Sequence, residues 1–343
     1  MIGSLELGII YAVVALGVYL TFRVLNFPDL TVDGSFTTGG AVAAVLLFRE
    51  VHPLIAVAAA FGAGMLAGAF TGLLHTKGRI DGLLAGILTM IGLWSVNLRI
   101  MGLAEDPVRA GAANLPLRTK ETVFTVLREN DVLGTWLSVA LLLAGVILLK
   151  LVIDWFLATD LGLAIQATGN NEQMIRSLGV NTDGTKILGL ALSNGLVAVG
   201  GALVAQFTGF ADISMGVGLI LVGLASVIIG QAFFGNRWVW LATFGVIFGA
   251  IAYRLVIFGA LQVGLNPNDM KLITAIIVIA ALLMPRLGLG KRLGLSGLRR
   301  GGTAKAAPDE GAAEPEPVPA GAAGEAAASP SSPGSNDPNG KDS

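Results

Sequence analysis

Asp29, Asp33 and Asp212 are the residues most able to do chemistry in this chain, because each lies among long apolar runs, where a carboxylate is costly unless it has a partner or a task. The first two fall in residues 23–40, RVLNFPDLTVDGSFTTGG, which also bring Asn26, Thr31 and Ser35. The core of that stretch recurs. Phe27-Pro-Asp29-Leu-Thr31 is answered by Phe210-Ala-Asp212-Ile-Ser214 at an offset of 183 (210 − 27). Backbone freed at a break inside a membrane must face protein or a water-filled path. Asn26, Asp29, Thr31, Asp33 and Ser35, with Asp212 and Ser214, are therefore candidates for the wall of a substrate pathway. A second reading is that Asp29 and Asp212 cap helix N-termini through Thr31 and Ser214. Asp33 has no counterpart, since Gly216 stands at the matching position, so any role it has is asymmetric.

Other chemistries are missing their residues. No Gly-x-x-x-x-Gly-Lys-Ser/Thr loop is present, so the chain itself has no phosphate cradle for ATP. His52 and His75 lack Glu or Cys at ligand spacing, which argues against a metal site. With no cysteine there is neither a disulfide framework nor a thiolate nucleophile, and no nucleophile–base pair can be assembled in the apolar runs. We expect no catalytic residue, no cofactor and no enzyme activity. A net charge of −1 without a basic patch gives no electrostatic footprint for nucleic acid.

The elements that must position these residues are membrane helices. The 343 residues are 54% hydrophobic and 13% charged, with mean hydropathy +0.76. Nine windows are long enough for a bilayer core, which needs about 20 apolar residues. They are 5–22, 32–48, 54–75, 82–102, 132–153, 186–208, 215–234, 238–258 and 270–285. The fold expected is an all-α integral membrane protein of about nine transmembrane helices (8–10) with a disordered C-terminal tail. The first window has no basic n-region or cleavage pattern and reads as a retained helix. Arg286, Lys291, Arg292, Arg299 and Arg300 place the C-terminal flank in the cytoplasm, and nine spans then put the N-terminus outside.

The offset of 183 extends further. Ala15 and Gly17 meet Ala198 and Gly200, Gly40 meets Gly223, and Phe61-Gly62 meets Phe244-Gly245. Four spans correspond to four, with one extra span between them, which predicts an inverted repeat. Repeat 1 covers about 5–102, a connecting helix 132–153, and repeat 2 about 186–285, all within a transmembrane domain over 1–298. Residues 159–186 form the longest polar stretch on the cytoplasmic side and read as one or two short amphipathic helices stopped at Gly179. Residues 299–343 are rich in Ala, Gly, Pro, Ser and Glu, and too poor in large apolar residues to fold. Gly64, Gly68 and Gly72, and Gly245 and Gly249, allow close helix approach, within one subunit or at a dimer face. Trp94, Asn97, Arg99, Tyr253 and Arg254 read as interface anchors or gate residues.

Asp29-Leu-Thr-Val-Asp-Gly-Ser35 before a Gly-rich helix resembles the Asp-Leu-Ser-Val-Gly-Ser stretch of ribose-type permeases. Gly8-Ile-Ile-Tyr11-Ala-Val-Val-Ala15-Leu-Gly17 with Asn26-Phe27 resembles the opening of branched-chain amino acid permeases. Residues 167–181, ATGNNEQMIRSLGVN, are similar to the coupling segment of that superfamily of bacterial ABC-importer membrane subunits. The pattern is most similar to tryptophan/tyrosine-type uptake permeases, although Asp33 replaces the family's usual Gly. The resemblance implies a permease subunit of the cytoplasmic (inner) membrane that conducts a small polar solute, most plausibly an amino acid, aromatic or branched-chain; a sugar or nucleoside is the alternative solute. It implies four partners: a separate ATPase that binds ATP, an extracytoplasmic solute-binding protein, a second permease copy as a homodimer, and membrane lipid. It also implies that Ala167, Gly169, Asn171, Glu172, Met174, Ile175, Leu178 and Gly179 couple to the ATPase. The rival reading is an ion-coupled secondary transporter titrating Asp29, Asp33 or Asp212.

Overall fold

The computed structural model of the chain describes residues 1–104, 113–235, 238–262 and 270–283. The basic flank from Arg286 onward and the 299–343 tail lie outside the described residues, as does Arg237. The helices are α1 (Ile2–Tyr19, continued by a π-helical turn Leu20–Val24), α2 (Thr31–Phe48), α3 (Pro53–Thr76) and α4 (Gly82–Gly102). After them come a short strand β1 (Asn114–Pro116), α5 (Thr125–Glu129), α6 (Trp136–Leu157), α7 (Asp160–Asn170) and α8 (Glu172–Ser177). The chain continues through α9 (Thr182–Thr208), β2 (Phe210–Asp212), α10 (Leu219–Phe234), α11 (Val239–Gln262) and α12 (Met270–Leu283). Among the described residues, 7 helices are long and apolar enough to cross a membrane, and α10 is a shorter apolar one. Every window expected from hydropathy holds a helix over its described residues, but α10 with 16 residues is shorter than a full span, and α12 is described over 14.

The core gathers around α1, α2 and α9, which are buried over most of their length. α9 packs on α1, α2 and α3, while α11 packs on α1 and α10. Glycine makes these approaches possible, because two apolar helices in lipid gain from contact chiefly when their backbones come close. A Cβ on Gly39 of α2 would fall 1.9 Å from the Ala198 carbonyl oxygen, and one on Gly201 of α9 1.9 Å from that of Phe36. Gly64, Gly68 and Gly72 seat α3 on α9 in the same way, and Gly249 seats α11 on Ser226 of α10. Both small-residue rows therefore serve packing within the subunit. By contrast α3, α4 and α6 turn Leu66, Phe70, Leu88, Leu148 and Trp155 outward, the apolar surface that a bilayer accepts as solvent.

β1 pairs antiparallel with β2, Leu115 opposite Ala211, which ties the 113–124 segment to the turn after α9 at one end of the molecule. α7 and α8 lie at the start of α9, the opposite end of that helix.

Candidate functional site

α2 and α10 both begin inside the protein, each after a bent approach. α1 leaves its helical path through the π-helical turn and reaches α2 by residues 25–30, where Asn26 takes φ 53° and Pro28 excludes a backbone donor. α9 ends at Gly209 with φ 80°, and residues 213–218 run down the side of α2. A Cβ on Gly40 would meet the Met215 sulfur at 2.8 Å, and one on Gly216 the Asp33 carbonyl oxygen at 2.0 Å. From residue 40 to residue 33 is about two turns of helix, so this segment enters deeply.

Asp29 is 0% exposed. Its Oδ1 accepts from the Thr31 backbone N–H at 2.9 Å and its Oδ2 from Asn194 Nδ2 of α9 at 2.6 Å. Asn194 in turn accepts from Ser35 Oγ at 2.7 Å, so one side chain on α9 holds the bent approach and α2 together. Burial pushes the Asp29 carboxyl above the usual carboxylate range, against the opposing pull of its hydrogen bonds from Thr31 and Asn194. Thr31 Oγ1 also meets Thr71 Oγ1 at 2.8 Å, and Thr71 donates to Thr89 at 2.9 Å, a row of hydroxyls across α2, α3 and α4. Asp212 repeats the local turn, accepting from the Ser214 N–H at 2.8 Å, but at the β1–β2 end and partly exposed, beside Asn114. The two aspartates thus share a backbone device and differ in burial.

Asp33 does something else. Its Oδ2 accepts from Gly218 N and its Oδ1 from Ile220 N, both at 2.8 Å, so a side chain on the first turn of α2 caps the N-terminus of α10. Of the seven pathway residues expected from sequence, Asp33 and Asn26 line cavities among the described residues, while Asp29, Thr31 and Ser35 are consumed in buried hydrogen bonds. The Asp33 cleft, about 370 Å³, lies between α2, α4 and the 213–217 segment.

In the 159–186 stretch Thr159, Asn171 and Asn181 cap α7, α8 and α9 in turn, as short polar side chains at helix starts do. Gly179 follows α8 with φ 86°. Ile175 is buried, whereas Met174 and Leu178 are exposed, so α8 offers apolar side chains outward. Gly169 rests on the Val24 carbonyl, where a Cβ would lie 2.1 Å away, and Ala167 is half-buried. Glu172 pairs with Lys186 at 2.8 Å and Lys186 reaches His75 Nε2 at 3.3 Å. His75 stands edge-on to Phe27, ring centroids 5.0 Å apart. A continuous set of contacts therefore runs from α8 to the approach that carries Asp29.

Two further polar groups were not singled out by sequence. Glu6 is buried and accepts from Gly134 N at 2.8 Å and from Ser138 Oγ, bridging α1 to the start of α6. Lys150 and Asp154 pair one turn apart on α6, and Asp154 accepts from Thr243 of α11 at 2.8 Å. The i,i+4 spacing of Lys150 and Asp154 was the available signal. Arg254 stacks over the Tyr11 ring at 3.8 Å, an anchor between α11 and α1. Among the described residues no group of three metal-ligating side chains forms.

Residues 1–283 match the family described as branched-chain amino acid transport system / permease component. A tyrosine transport system permease protein of Clostridioides difficile (strain R20291) is 40% identical over 289 residues, 84% of this chain and 92% of its own length. An uncharacterized protein of Rickettsia prowazekii (strain Madrid E) is 35% identical, over 82% of this chain and 96% of its own. A ribose import permease protein of Escherichia coli (strain K12) is 27% identical, over 80% of this chain and 81% of its own.

Proposed function

Because the chain belongs to the family of branched-chain amino acid transport permease components, we propose that it forms the solute pathway of an ABC importer for an amino acid with an aromatic or branched side chain. It is a multi-pass inner-membrane permease subunit of the ABC type and not an enzyme. Its partners are a cytoplasmic ATPase seated on α7–α8, an extracytoplasmic solute-binding protein at the β1–β2 end, and a second copy of the chain.

The observation that carries the reading is the α8 device: exposed Met174 and Leu178 at the surface, with Glu172, Lys186 and His75 leading inward to the Asp29 approach. A docked ATPase pushing on α8 would move a segment already linked to α2. The amino acid class is favoured by the tyrosine permease relative at 40% identity. Asn26, Asp29, Thr31, Asp33, Ser35, Asp212 and Ser214 remain the proposed pathway set, with Asp29, Thr31 and Ser35 shaping it from behind.

Nine spans in an inverted repeat fit the packing. The first helix of each half, α1 or α9, lies on the second and third of the other half. The contacts are reciprocal in detail: a Cβ on Gly17 would meet Val197 Cγ2 at 2.8 Å, and one on Gly200 would meet Val14 Cγ2 at 2.3 Å. Adding 183 to 17 and 14 gives 200 and 197. The carboxylates that an ion-coupled carrier would titrate are engaged in the Asn194 pair, in the Ser214 turn, which caps no helix, and as the cap of α10, and this counts against that reading.

The test is uptake into proteoliposomes holding this chain, its co-encoded ATPase and the binding protein. Uptake is expected to require ATP and to persist when ion gradients are collapsed. Gradient-dependent uptake without ATP would select the carrier instead.

A further inference from the structure

The cleft beside Asp33 has a chemical character that the permease reading does not by itself supply. Met90, Ile91 and Trp94 of α4 form one apolar wall, and Ile213 and Val217 of the re-entrant segment the other. The polar end holds Asp33, Thr37 and Asn97. At about 370 Å³ it falls within the range, about 300–1,000 Å³, of small-molecule sites.

Asn97 is the independent sign of a ligand. It is 1% exposed, its Nδ2 donates to the Gly34 carbonyl at 3.3 Å, and its Oδ1 has no protein partner. The Gly34 bond fixes the amide orientation, since only the NH₂ can donate to a carbonyl. What remains is a buried acceptor in need of a donor. Asp33 lines the same cleft, and neither Lys, Arg nor His is among its described lining residues. Thr37 Oγ1 donates to the Asp33 carbonyl oxygen at 3.2 Å, so its free lone pairs also accept. Acceptors without a cation, at the end of an apolar slot floored by an indole ring, match a primary ammonium carried on an apolar body.

We infer that this cleft is the station at which the permease holds its solute, and that it selects the ammonium of a neutral amino acid with an aromatic or branched side chain. The inference rests on the permease reading and adds a site and a selectivity to it. Trp94, 44% exposed, lies under the side chain as the floor of the slot. Ser95, also in the lining, faces the open side, where the solute carboxylate stays solvated.

The full-length chain in phosphatidylcholine nanodiscs, which contain no primary-amine lipid, is titrated with L-phenylalanine while tryptophan fluorescence is read. A saturable change is expected, absent in Trp94→Phe and shifted at least tenfold to higher concentration in Asn97→Leu. N-acetyl-L-phenylalanine, which lacks the ammonium, should bind at least tenfold more weakly than L-phenylalanine. An equal response to both, or a saturable response that survives Trp94→Phe unchanged, overturns the inference, as does no saturable response at all. The second arm is uptake in the reconstituted importer with Ser95→Trp, which fills the cleft from its open side. ATP-driven uptake present in the wild type and undiminished by Ser95→Trp rejects the site while leaving the permease reading intact. If the wild type shows no ATP-driven uptake the permease reading fails, and the fluorescence arm still judges the cleft.

Discussion

At the scale of single residues, the aspartates separate by what they hold. Asp29 is fixed by Asn194 and Thr31, Asp212 by the Ser214 turn, and Asp33 by the backbone of another helix. Removing a capping carboxylate typically costs about 0.5–2 kcal/mol, and a substitute that keeps an acceptor loses less. Asp33→Ala is therefore expected to lower stability by about 1–2 kcal/mol and Asp33→Asn by less than half of that, measured as thermal unfolding of the purified protein in detergent. Equal losses would mean that the cap on α10 is not what Asp33 contributes. Asn194→Leu should be the more damaging change, since it leaves the buried Asp29 carboxylate and the Ser35 hydroxyl without their partner; loss of one partner from a buried polar pair costs about 1–3 kcal/mol, and more when a charge is involved. The sequence showed Asp29 and Asp33 as unusual and paired Asp29 with Thr31, but it did not show their distant partners, because the spacing within 23–40 contains nothing about Asn194 or Gly218.

At the scale of elements, helix contact is set by glycine, and the coupling we propose runs through α8. Gly39→Val should drive α2 off α9, because the new atoms would strike backbone at Ala198 that cannot rotate away. Overpacked cores lose about 1–3 kcal/mol and occasionally more, and a sharp fall in folded, membrane-inserted protein is expected. Gly62→Ala, with nothing within 4 Å of the new methyl, should be neutral within about 1 kcal/mol. A matching loss in both would reject the packing argument. Lys186→Met cuts the link between Glu172 and His75. It should leave the ATPase bound and hydrolysing while uptake falls, a split read by assaying both activities in one reconstitution. A parallel fall in binding would make Lys186 part of the docking surface instead. Hydropathy placed the seven described helices long enough to span within a few residues, yet it overestimated α10, whose expected start at 215 falls in the re-entrant segment. Apolar composition cannot tell a helix from the succession of turns that residues 213–218 form.

At the scale of the whole molecule, the β1–β2 pair and the α7–α8 pair mark the two sides expected of a cytoplasmic coupling segment and an external loop. The chain has no cysteine, so single cysteines report position without background. Phe210→Cys, exposed beside β1, should react with a membrane-impermeant maleimide in intact cells, whereas Leu178→Cys should react only after lysis. The reverse pattern would invert the proposed topology. Deletion of 171–179 should abolish ATP-driven uptake while leaving the protein membrane-inserted, since α8 contributes little to the packing of the spans.

The sequence by itself determined the class of molecule, the positions of its described helices, the repeated Asp-x-Thr/Ser turn and the short polar helices of the 159–186 stretch. Each of these is a local pattern of residue type and period, and the bilayer enforces such patterns strongly. Only the tertiary structure decided that Asp33 caps α10 through Gly218, 185 positions later, that Asn194 joins Asp29 to Ser35, and that Asn97, with a buried acceptor left unmatched, lines a cleft. These pairings depend on which faces of apolar helices meet. That choice is made by backbone approach at glycines and by the need to satisfy buried polar groups, and neither leaves a periodic trace in the chain.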